Sequence, residues 1–122
     1  MPLARWKDLC LDTTDTSATA EFWAAALDLR FEPRSEAVTL LRGSRPEQAT
    51  WVNLVPEPKT VKNRVHLDVR APDDRPGSRQ QQVAEFIANV VAWGGSKIRD
   101  VIDDGGHFAV MQDPEGNEFC TG

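Results

Sequence analysis

At 122 residues the chain has the length of one domain that buries its own core, and 40% hydrophobic with 27% charged residues excludes a disordered chain. Fourteen basic against nineteen acidic residues give a formal net charge of −5, which opposes phosphate backbones and anionic membrane surfaces, so neither nucleic acid nor membrane is an expected partner. The most apolar stretch, 86–93, is far short of a bilayer span, and MPLARWKD lacks a signal-peptide core, so a cytoplasmic protein is expected.

In chain order, 6–12 (WKDLCLD) alternates as a strand does, with Leu9 and Leu11 on one face and Asp8, Cys10 and Asp12 on the other. Asp15 or Thr16 then caps a helix over 17–27 whose Phe22, Trp23, Ala26 and Leu27 share a side. Residues 28–33 read as a turn, 37–41 as a strand, 43–48 (GSRPEQ) as a turn and 50–55 as a strand, a βαβββ order. PEPKTVKN at 56–63 is a linker stiffened by Pro56 and Pro58.

The same order then returns, with a strand at 64–70, a helix from Gly77 or Ser78 to Trp93, and strands at 97–102, 107–112 and 117–121. AEFWAAAL at 20–27 and AEFIANVV at 84–91 hold the same helix position, and Asp8 and His66 each precede an aspartate, Asp15 or Asp73, at the same spacing. Gly94 and Gly95 end the second helix, where the first module has Asp28. The expected architecture is α+β: one domain of two tandem βαβββ modules, about 5–55 and 64–122, with helices outside a curved, cup-like mixed sheet. Polar strand faces lining a cup make a small-molecule site the default expectation.

Individual residues carry alternatives. His66 is a ligand or general base, or else a buried strand histidine satisfied by a carboxylate. Glu118, if buried, needs a metal, a cation or His66 as partner. Asp12 and Asp68 face inward, where they either meet ligand or fix loops; His107 reads more readily as an exposed loop-to-strand junction than as a lining residue. Trp23 and Trp93 are expected in the core, whereas Trp6 and Trp51 line the cavity or pack at a seam. Cys10 and Cys120 are too few for a disulfide framework, so reduced thiols are expected.

RVHLDV at 64–69, the linker VPEPKTVKNR at 55–64 and DPEGNEFC at 113–120 resemble the vicinal oxygen chelate superfamily of glyoxalase, bleomycin-resistance and dioxygenase proteins, and especially its short actinobacterial glyoxalase-like members. The resemblance covers essentially the whole chain. It implies a divalent metal (manganese, nickel, iron or zinc) held by Asp8, Asn53, His66 and Glu118, with His66 and Glu118 catalytic. Asp8 and Asn53 depart from the histidine, glutamine or glutamate of metal-using members. Two functions follow: a metal-dependent lyase, isomerase or dioxygenase-type enzyme, or a metal-free protein that sequesters an antibiotic-like small molecule. Asp12, Asp68, Trp51 and Arg70 are the expected ligand-binding residues, the acidic inward positions favour a cationic ligand, and a homodimer is the expected assembly.

Overall fold

A computed structural model describes residues 2–45, 49–103 and 106–122. The chain divides into two compact units, Met1–Pro58 and Lys59–Gly122, and the division falls inside the proline-stiffened linker. Within the first unit the order is β1 (Leu9–Thr13), α1 (Thr16–Leu27), β2 (Arg30–Pro33), β3 (Val38–Arg42) and β4 (Thr50–Leu54). The second holds β5 (Leu67–Val69), α2 (Arg79–Ala92), β6 (Ser96–Asp103), β7 (Gly106–Gln112) and β8 (Glu118–Thr121). Each unit is therefore a βαβββ module, and the α+β architecture expected from the repeat is present in both.

The sheets are built alike. Their orders are β1-β4-β3-β2 and β5-β8-β7-β6, and in each the first strand runs parallel to the last strand of its unit while the other pairs are antiparallel. The parallel pair requires a crossover, which the helix supplies while covering one sheet face. In the first unit the layer between helix and sheet holds Phe22, Trp23, Leu41 and Val52, with the Phe22 and Trp23 rings edge to face at 5.1 Å. In the second it holds Val83, Phe86, Val90, Met111 and Phe119. Phe22 and Phe86, matched in the two AEF segments, are both core residues.

Helix ends follow local chemistry. Asp15 caps α1 by accepting from the Ala18 N–H, and Asp28 closes it in the left-handed conformation at φ 54°. Ser78 begins α2 with a capping box in which its hydroxyl accepts from the Gln81 N–H while the Gln81 side chain accepts from the Ser78 N–H.

Four expectations need correction. Residues 30–33, read as turn, form β2, an edge strand; Glu32 accepts from Arg42 Nε at 2.8 Å across the pair, and Pro33 is tolerated because it ends an edge strand. The strand expected at 64–70 shrinks to Leu67–Val69, because its ladder partner, β8, begins at Glu118. Just before it, residues 113–117 are wound into a turn around the buried Asp113 carboxylate, which accepts from the N–H groups of Glu115 and Asn117. Trp93 is 56% exposed instead of core, since the chain leaves the helix at this residue and turns at Gly94, φ 104°. His107 lies in β7, as the strand expected at 107–112 predicts, but is half-buried instead of exposed. The turn expected at 43–48 lies outside the described residues from 46 onward.

Candidate functional site

Parallel pairing fixes what stands beside what at the start of each module. Leu9 pairs with Thr50 and Leu67 with Phe119, so one residue earlier Asp8 lies at the level of Ala49 and His66 at the level of Glu118. Ala49 is therefore the register counterpart of Glu118. Asn53 pairs with Asp12 instead, four residues along the strand from the level of Asp8, or roughly 13 Å at a strand's rise.

Asp8 is 16% exposed at its side chain and accepts through Oδ2 from the Trp51 indole at 3.0 Å and from Lys7 Nζ at 2.9 Å. These donors, Lys7 first, hold its carboxyl below the usual aspartate range. Trp51 is thus a half-buried hydrogen-bond donor to Asp8, while Trp6 is 73% exposed. Asp12 and Cys10 lie on the exposed face of β1, as its alternation predicts.

Glu118 is taken up by the segment that leads into its own unit. Lys59 Nζ donates to Oε1 at 2.9 Å and the Asn63 N–H to Oε2 at 2.9 Å. Burial favours the protonated acid, but these donors outweigh it and hold the carboxyl down at about 2. Of the partners expected for a buried Glu118, a cation is the one found. Lys59 carries no chemical motif, and only its place in the linker could have drawn attention to it.

On the same side of the second sheet lies a cleft of about 630 Å³, within the size range of small-molecule sites. His66, Asp68 and Arg70 project into it from β5 and its flanks by alternation, joined by Cys120, His107 and Arg79. No side-chain hydrogen bond or ion pair engages His66, Asp68 or Arg70 among the described residues. His107 and Arg79 are already fixed. His107 Nε2 meets Asp100 Oδ1 at 3.0 Å, and the Arg79 guanidinium donates to the carbonyls of Ala71, at 2.8 Å, and Gly122. Cys120 is a free thiol whose pKa is pushed up by burial and by Asp68, its register partner. With Arg70 and Arg79 beside Asp68, the cleft lacks the acidic bias expected of the inward positions.

These donors do not fit a divalent metal. Both Glu118 oxygens are engaged, Asp8 is tied to Trp51 and Lys7, and Asn53 stands away from the level of Asp8. Within either unit, among the described residues, no three His, Cys, Asp or Glu side chains gather closely enough to hold an ion.

The comparisons with known proteins agree with the fold. A glyoxalase-related enzyme from Fulvimarina pelagi has a TM-score of 0.74 at 16% identity, over 98% of this chain and 87% of that one. The fosfomycin resistance protein FosX of Listeria monocytogenes, solved with Mn(II) and 1S,2S-dihydroxypropylphosphonic acid, also scores 0.74, at 11% identity over 99% of this chain and 90% of that one. Lactoylglutathione lyase from Agrobacterium tumefaciens scores 0.65 at 16% identity, over 99% and 93%. No curated protein matches the sequence. The family model for the glyoxalase-like domain matches residues 8–122, so the chain belongs to the glyoxalase-like domain family.

Proposed function

We propose that this chain binds a small organic molecule in the cleft of its second unit without calling on a divalent metal. The observation that carries the reading is the cleft of about 630 Å³ into which His66, Asp68 and Arg70 project with no protein partner among the described residues. Polar groups kept unpaired at the edge of a concave surface are available to a ligand, whereas those already paired must first be freed. Val69 and Phe108 add apolar wall, so the reading is a ligand with an apolar body and both hydrogen-bond donors and acceptors. Sequestration of an antibiotic-like molecule fits this role.

A second reading, proton transfer on a bound substrate, is favoured by one observation: the His66 imidazole is exposed to the cleft with no protein hydrogen bond fixing it. In that case His66 is the base and Arg70 steadies developing negative charge. The relative named lactoylglutathione lyase shows that an enzyme uses this fold, not that this chain is one.

Ligand-observed NMR screening of a fragment library against wild type, His66→Ala and Arg70→Ala tests the proposal. Hits weakened at least about tenfold by Arg70→Ala, equivalent to one bidentate contact, are expected. Hits indifferent to both substitutions would contradict it. Turnover of a bound hit by wild type but not by His66→Ala would promote the second reading over simple binding.

A further inference from the structure

We infer that Lys59 is the resident cation of the Glu118 position, so that this carboxylate acts as a clasp for the segment 59–63 and not as an open metal ligand. The inference rests on the metal-independent reading above but not on the cleft. Lys59 and Glu118 are 16% and 14% exposed at their side chains, and they meet at 2.9 Å. The second carboxylate oxygen receives the Asn63 N–H at 2.9 Å, and Asn63 Nδ2 reaches the Glu118 carbonyl at 3.4 Å. One residue at the head of β8 thereby binds both ends of a short segment.

The chemistry explains why the position is closed. For Glu118 to ligate a divalent ion, a dication must be brought against the Lys59 ammonium, which is largely shielded from water and has no equivalent anion to turn to if displaced. Release of the Asn63 N–H would also orphan a backbone donor. Asp8 is held differently: its lysine partner, Lys7, is 87% exposed and can swing into water, which leaves the Trp51 indole as its fixed donor. Placement adds to the effect. Pro56 and Pro58 restrict the chain just before Lys59, so the ammonium is delivered to Glu118 by a stiff segment with less entropy to lose. Lys59 is also the first residue of the second unit, which puts the clasp where the chain enters its fold.

The full chain is to be dialysed against chelator and titrated calorimetrically with manganese, nickel and zinc, beside Glu118→Gln. No stoichiometric uptake is expected in either protein. In parallel, amide hydrogen exchange at Asn63 is to be followed in wild type, Lys59→Met and Lys59→Arg. Exchange about tenfold faster in Lys59→Met, and recovery of protection in Lys59→Arg, are expected if the ammonium holds the clasp shut. One metal bound per wild-type chain and lost in Glu118→Gln would overturn the inference, as would unchanged Asn63 exchange in Lys59→Met. Should Lys59→Met fail to fold, the wild-type Lys59 ammonium is read directly by NMR. A slowly exchanging signal is expected, and fast exchange like that of the exposed Lys7 overturns it. A cleft that binds nothing leaves these outcomes unchanged, so the two failures are separable.

Discussion

Glu118 ionises where burial and hydrogen bonding oppose one another, and the donors prevail, placing its carboxyl at about 2. An unfolded glutamate titrates near 4.5, so between these values the unfolded chain binds more protons than the folded one. The stabilisation from this residue is complete above about pH 5 and is lost as pH falls toward 2. Glu118→Gln should therefore cost about 2 kcal/mol at pH 7 and almost nothing at pH 2, read as the difference between two denaturation curves. A pH-independent difference would mean that the amide disturbs packing and that charge has little part. Thr13 offers an uncharged comparison. Its buried hydroxyl meets that of Thr19 at 2.8 Å, tying β1 to α1, and Thr13→Val, which leaves the Thr19 hydroxyl without this partner, should destabilise by about 1–3 kcal/mol in urea denaturation.

At the level of elements, legibility followed the strength of local chemistry. Both helices were readable because Asp15, the Gly94 and Gly95 stop and the AEF repeat mark them, whereas the box that Ser78 forms with Gln81 is a finding of the structure. Ser78→Ala should cost about 1 kcal/mol, measured as a shift in thermal midpoint with no change in the β-sheet signal. Strand β2 was not readable, since its four residues show little alternation and Pro33 signals a turn; it is recognised only through its pairing with β3. Strand β5 was overread for the opposite reason. RVHLDV has strand composition throughout, but the ladder exists only where β8 lies beside it. The same register explains the Asn53 assignment, because sequence alone cannot distinguish Ala49 from Asn53 as the counterpart of Glu118. His66, Asp68 and Arg70 were legible as one face by their spacing, whereas the pairing of Glu118 with Lys59 was hidden by long sequence separation.

Across the whole molecule, family membership extends over residues 8–122, yet the site chemistry differs from what the resemblance implies. The difference comes from single residues that leave the scaffold intact: Lys59 and Asn63 occupy Glu118, and Trp51 with Lys7 occupies Asp8. Both sheets also end in edge strands, β2 and β6, and β6 carries Ile102 at 80% exposure. An edge with an exposed apolar residue invites a partner strand, and we expect a homodimer in sedimentation equilibrium, weakened by Ile102→Lys. A monomer at all concentrations would remove assembly from the account.

The most direct measurement of the central claim is two-dimensional amide NMR of the wild-type chain with a screened ligand, in excess chelator. Shift changes clustered at Asp68, Arg70, Phe108 and Cys120 are expected, persisting with chelator present and fading in Arg70→Ala. Binding that appears only after manganese, nickel or zinc is restored, or that maps away from this cleft, would contradict it.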